Sequence, residues 1–262
     1  MKTTIERFNE HVQEALQIHD NKVLMVALQG SQNYGLAYED SDVDTKALLV
    51  PSFKNIVFNK QPVSTTHVRA NNEHIDFKDV RLMVQNWRKQ NINFVEVLFT
   101  DYMWINPDYF HAVKKLLDNS ELVARYNPYR AVKCMKGMAF EKLHALEHPY
   151  PSKLDVLARL GYDSKQLHHI FRMKDFLWKY IAEESYLDCL KASDPEWLIE
   201  VKKGKYSLEE ARKLATETTK QIETAADIYC SKVENKGNPE AEEVLNNFVY
   251  DVMKISMWEE LE

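Results

Sequence analysis

Two short apolar runs, Val23 to Leu28 and Ala47 to Val50, constrain this chain more than any other feature. Each is too short for a helix of ordinary length. One is ended by Gly30 and the other by Pro51, which suits buried neighbouring strands over Lys22 to Gln29 and Asp42 to Val50. Between the runs stand Gly30 and Ser31, then a gap of ten residues, then Asp42 and Asp44. A backbone that turns at Gly30 offers an N–H and the Ser31 hydroxyl to phosphate oxygens with no side chain in the way. Asp42 and Asp44, two apart on a strand, share one face and can share hard divalent cations, while Val43 turns into the core.

A third acid follows from the same logic. In Glu73 to Val80, Ile75 and Phe77 alternate with Asp76, so a strand there sends both apolar residues inward and Asp76 to the face of Asp42 and Asp44. The rest is mainly helical in pattern. Apolar spacing predicts an amphipathic helix over Thr3 to Ile18 and helices over Val80 to Trp87 and Phe94 to Phe99, with a turn at Gln90 to Asn93. Short strands are expected near Thr66 to Val68 and Tyr102 to Ile105. Further helices are expected over Tyr109 to Asp118, Pro128 to His148, Asp163 to Glu184, Leu208 to Lys232 and Glu240 to Met257. The expected class is α+β: a mixed sheet with flanking helices over 1–107, then a helical domain over 108–262 that closes over a nucleotide.

Composition narrows the setting. With 45% hydrophobic and 28% charged residues over 262 positions, the chain can bury a sizeable core. No apolar run reaches membrane-spanning length and Met1 to Glu10 lacks a signal-peptide pattern, so a cytoplasmic location without membrane partners is expected. Cys134, Cys189 and Cys230 are far apart and odd in number, as suits buried free thiols in a reducing compartment. A net charge of −6 argues against a protein that coats nucleic acid, though not against a local basic pocket.

Such a pocket has a candidate. On a helix Lys165, His169 and Arg172 are spaced by four and three and form one polar stripe, with His168 at its edge and Leu167, Ile170 and Phe171 on the buried side. Cationic groups in a row suit a polyphosphate. A solvated helix face is the plainer reading of the same residues. Asn33 and Tyr34 read as turn residues within reach of a ligand, and Asp40 as part of the turn into the second strand. Trp87, Phe94, Phe99 and Trp178 read as core aromatics.

The pattern of Gly30 and Ser31 followed by Asp42 and Asp44 resembles the signature of the DNA polymerase beta type nucleotidyltransferase superfamily, in which a Gly-Ser turn joins a strand to a second strand bearing Asp-x-Asp. Two later runs, Lys89 to Phe99 and Gly161 to Arg172, resemble segments of predicted bacterial and phage nucleotidyltransferases associated with RNA repair. Ile92 stands where that group carries a proline, and the acidic stretch before Asp76 departs from it. Glu73 is therefore an alternative third acid, although it falls on the opposite strand face. The resemblance implies transfer of a nucleoside monophosphate from a triphosphate, with ATP the expected nucleotide, to a hydroxyl acceptor with loss of pyrophosphate. It implies Asp42, Asp44 and Asp76 as ligands of Mg2+ or Mn2+, Asp76 also helping to deprotonate the acceptor. Gly30, Ser31, Lys165, His169 and Arg172 would bind the nucleotide. An RNA end, a protein and a small molecule all remain open as acceptors, as does the oligomeric state. The alternative is a non-catalytic nucleotide-binding or antitoxin-like partner module.

Overall fold

The computed structural model describes residues 3–38 and 41–261. The chain forms two compact units: Met1–Asn33, Glu39–Asn127 and Gly237–Glu262 make the first, Tyr34–Tyr38 and Pro128–Lys236 the second.

The first unit opens with α1 (Thr4–Ile18), started by a reciprocal cap in which the Thr3 hydroxyl accepts the Glu6 N–H and the Glu6 carboxylate accepts the Thr3 N–H. Next, β1 (Lys22–Gln29) and β2 (Asp44–Val50) pair antiparallel. After α2 (Phe53–Val57), β3 (Ser64–Val68) and β4 (His74–Asp79) form an antiparallel pair, and β4 lies parallel to β2. α3 (Val80–Arg88) and α4 (Ile92–Val95) lead to β5 (Met103–Ile105), which returns antiparallel to β1. The described residues thus hold a mixed sheet in the order β3-β4-β2-β1-β5. α5 (Phe110–Leu117) and α6 (Ser120–Ala124) follow.

The alternation read from the sequence sorts the faces of this sheet. Val43, Ala47 and Leu49 join Ile75 and Phe77 of β4, Val23, Val26 and Leu28 of β1, and Phe8, Val12 and Ala15 of α1 in one core. Asp44 and Lys46 of β2, with His74, Asp76 and Lys78 of β4, therefore project to the opposite face. The Lys46 ammonium there lies 4.5 Å from the centroid of the Phe94 ring in α4. Because both faces of β1 and β2 are covered, their burial is nearly continuous instead of alternating.

The second unit contains α7 (Pro128–Ala145), α8 (Leu154–Leu160), α9 (Ser164–Ile181), α10 (Tyr186–Leu190), α11 (Pro195–Lys202) and α12 (Leu208–Cys230). Its centre is α9, packed against α7, α10, α11 and α12. Fully buried Tyr180 and nearly buried Phe176 and Tyr186 pack ring against ring there, while Ala211, Ala215 and Ala226 let α12 approach closely. The chain returns to the first unit with α13 (Pro239–Leu261), whose Ala241, Leu245, Phe248 and Val252 form a buried stripe facing Trp87 and its neighbours.

The α+β class and the sheet strands agree with the sequence reading. β2 begins at Asp44 instead of Asp42. The helix expected over Phe94 to Phe99 starts earlier, because the Asn91 side chain caps it at Ile92, and it gives way to a single 3-10 turn over Glu96–Leu98. Trp87 is buried as expected, whereas Trp178 is 42% exposed and, with Phe171 and Trp197, lines a groove of about 330 Å³. The three cysteines are free; Cys189 is buried and the other two are half-buried. Among the described residues no helix is long and apolar enough to cross a membrane.

Candidate active site

The register of the central strands joins the two halves of the sequence motif. β1 ends at Gln29, which pairs with Asp44, so the Gly30 turn and the start of β2 share one end of the sheet. Gly30 has φ +89°, a conformation that L side chains rarely adopt, and a Cβ built there meets no atom within 4 Å. Its role is thus conformational, and the space beside it is open. Ser31–Tyr34 forms one 3-10 turn, closed by the Asn33 N–H on the Gly30 carbonyl at 3.0 Å. The Asn33 side chain braces that turn, donating to the Leu28 carbonyl at 3.0 Å and accepting the Thr100 hydroxyl at 2.8 Å. Asp40 lies outside the described residues.

Asp42, in the segment leading into β2, is exposed, and the Asp44 side chain is one-third exposed. Asp44 Oδ1 accepts the His74 N–H at 2.9 Å and lies 3.1 Å from His74 Nδ1, which ties the start of β4 to the start of β2. Asp76 shares the face of Asp44, one step further along the ladder, opposite Lys46. Both its oxygens are engaged: Oδ2 with Lys46 Nζ at 2.7 Å, Oδ1 with the Thr66 hydroxyl at 3.1 Å and Lys78 Nζ at 3.3 Å. Burial raises the Asp76 pKa, but the Lys46 and Lys78 charges and these hydrogen bonds outweigh it and hold the carboxyl below its ordinary value. Burial lowers the Lys46 ammonium, with Asp76 opposing it.

Glu73 is on the other face, as the sequence alternation implied, and is enclosed beneath α1. Its Oε1 accepts from Arg7 and from the Val43 N–H, and its Oε2 accepts from His11 Nε2 at 2.9 Å and Arg69 at 2.8 Å. Burial opposes ionisation, yet hydrogen bonding by His11, Asn71, Arg7 and the Val43 N–H brings its pKa down to about 2. An ionised carboxylate only accepts, so His11 carries its proton on Nε2 and uses Nδ1 to accept the Thr45 hydroxyl at 3.0 Å. With its oxygens spent in this way, Glu73 has no lone pair aimed at the face of Asp42 and Asp44.

In the helical unit Lys165 is exposed, His169 is half-buried and Arg172 is buried. Arg172 is the surprise of the stripe: its guanidinium carbon lies over the Tyr34 ring, 3.4 Å from the centroid. His168 is buried, donating through Nδ1 to the Leu198 carbonyl at 2.9 Å. Desolvation brings its pKa to about 4, and desolvation with neighbouring His168, Arg172 and Lys165 holds His169 well below the ordinary histidine value. Both rings are therefore neutral at pH 7, so the permanent charge of the stripe is carried by Lys165 and Arg172.

Among the described residues no group of three or more His, Cys, Asp or Glu side chains is arranged to hold a metal ion. The donor chemistry nevertheless fits a hard divalent cation at the Asp42 and Asp44 end. Asp44 Oδ2 has no partner among the described residues, Asp42 is exposed beside it in sequence, and such ions bind through one or two carboxylates plus substrate phosphates. Sequence reasoning missed Lys46, Arg7 and His11. Lys46 did carry a signal, being a lysine two positions after Asp44 and directly before the apolar run Ala47 to Val50.

No family model matches the sequence, and no curated protein matches it. Among solved structures, a nucleotidyltransferase-like protein from Exiguobacterium sibiricum 255-15 aligns over 97% of this chain and 74% of that chain, at 12% identity and a TM-score of 0.28. A superposition that loose carries no argument about this chain.

Proposed function

We propose that the protein is a divalent-metal-dependent nucleotidyltransferase that moves a nucleoside monophosphate from a triphosphate, ATP in the first instance, to a hydroxyl acceptor and releases pyrophosphate. The observation that carries this reading is the pairing of Gln29 with Asp44, which brings an open glycine turn and an acid pair to one end of a buried strand pair. In this reading Gly30 and Ser31 contact phosphate oxygens, and Asp42 and Asp44 hold Mg2+ or Mn2+. When bound, the metal supplies Lewis-acid polarisation of the phosphoryl oxygens. Asp76, ionised and on the Asp44 face, takes the proton of the acceptor hydroxyl after parting from Lys46. Within the helical unit, Lys165 and Arg172 are the cations available to a phosphate, with neutral His169 beside them in the stripe.

Labelled-nucleotide transfer, screened over RNA ends, proteins and small molecules, tests the proposal. Asp42→Ala or Asp44→Ala should abolish transfer with the fold intact; retained wild-type activity in either variant overturns the metal assignment. Arg172→Ala should weaken triphosphate binding in isothermal titration, and an unchanged titration returns the stripe to a packing role. A second reading, nucleotide binding without transfer, draws support from the engagement of both Asp76 oxygens by Thr66 and two lysines. Metal-dependent ATP binding with no transfer to any acceptor in the screen would favour it.

A further inference from the structure

The back of the acid pair is held by a charged clamp. Ser41, Val43 and Thr45 are buried and alternate with Asp42 and Asp44 along the chain. All three are gripped by residues of the α1 side. Arg7 Nη1 donates to the Ser41 carbonyl at 3.1 Å, Glu73 Oε1 accepts the Val43 N–H at 3.1 Å, and His11 Nδ1 accepts the Thr45 hydroxyl at 3.0 Å. The three gripping groups are also joined to one another. Arg7 Nε donates to the same Glu73 Oε1 at 2.7 Å, and His11 Nε2 donates to Glu73 Oε2 at 2.9 Å.

We infer that Arg7 and Glu73 are positioning residues for Asp42 and Asp44. They fix the backbone on both sides of Asp42 from the face away from the ligand, so the two carboxylates are presented in a set geometry before any metal arrives. The inference rests on the metal-binding reading of the acid pair. Helix packing alone does not require the arrangement. Arg7 is 23% exposed and donates to the carbonyl of Ser41 in the segment before β2, and Glu73 spends an oxygen on a backbone N–H in that same segment. Groups that orient metal ligands from behind typically change metal affinity 10- to 100-fold when removed.

Mn2+ binding measured by electron paramagnetic resonance, without nucleotide, tests this. Arg7→Ala should weaken Mn2+ about 10-fold or more while circular dichroism stays that of the wild type. Arg7→Lys should fail to rescue, because one ammonium cannot bridge Glu73 and the Ser41 carbonyl as the guanidinium fork does. Glu73→Gln should weaken Mn2+ in the same direction. Wild-type Mn2+ affinity in folded Arg7→Ala overturns the inference and leaves the metal reading standing. A wild-type protein that binds no Mn2+ overturns both. A measurement needing no variant is amide exchange in metal-free wild-type protein: the Val43 amide should exchange as slowly as those at the centre of β2, and fast exchange there overturns the clamp.

Discussion

Replacing Glu73 by glutamine should flatten the acid limb of the stability profile. The Glu73 carboxyl has an ordinary value of 4.5 and a folded value of about 2, and its side chain is 1% exposed, so solvent screening takes little from the interaction. The folded pKa is depressed. Its stabilising contribution is therefore complete above the unfolded value and is lost as pH falls from about 5 toward 2. A gap of about 2.5 pH units corresponds to about 3 kcal/mol at 1.36 kcal/mol per unit, of which about 1 kcal/mol disappears between pH 5.5 and 3.5. Urea unfolding of both proteins over that interval isolates the effect, because every other titrating group is common to them. The stability difference between wild type and Glu73→Gln should shrink by about 1 kcal/mol on acidification across that interval. A difference that stays constant with pH would refute the view that His11, Asn71, Arg7 and the Val43 N–H together hold this carboxylate ionised.

Three further outcomes are expected. Lys46→Met leaves the mostly buried Asp76 without its closest cation and should destabilise by about 3 kcal/mol in urea unfolding. The double variant with Asp76→Asn should recover most of that loss. Arg172→Ala and Tyr34→Leu should each destabilise the helical unit, and a double-mutant cycle between them should give a coupling of about 1 to 2 kcal/mol, as for a desolvated cation over an aromatic face. Additive losses would mean that the stacking is incidental. Gly30→Ala should cost about 1 kcal/mol through backbone strain alone, since open space surrounds the position. A much larger loss of thermal stability would indicate a steric clash instead.

The parts of the fold that repeat at a fixed period were legible in the sequence. The rhythm of Ile75, Asp76 and Phe77 gave β4 and its faces, and the run Val23 to Leu28 gave β1 with its ends. Short helices such as α2, α10 and α11 were missed because they are too brief for a period to develop. They start at side-chain caps on Ser52, Ser185 and Asp194, each a single residue that looks the same in a turn. The candidate site divides in the same way. Gly30, Asp44 and Asp76 follow from local pattern. Arg7 meets Glu73 across 66 residues and Lys46 meets Asp76 across 30, and no local rule links a cation in one element to an acid in another. Trp178 shows the converse: helical spacing gave it an inward face, but the groove formed with Phe171 and Trp197 leaves it at the surface.

The position of α13 bears on the order in which this chain can finish folding. The Ser256 hydroxyl donates to the Pro51 carbonyl at 3.4 Å, Arg88 binds Glu242 and Asn246, and Phe248 packs against Trp87. A helix made after the sheet thus covers it, with partners up to about two hundred positions apart, whereas Pro128–Lys236 emerges from the ribosome in one stretch. Closing so long a loop delays the final contacts on entropic grounds. On a translating ribosome, then, the helical unit is in a position to consolidate while the sheet, its strands already synthesised, still waits for its last layer.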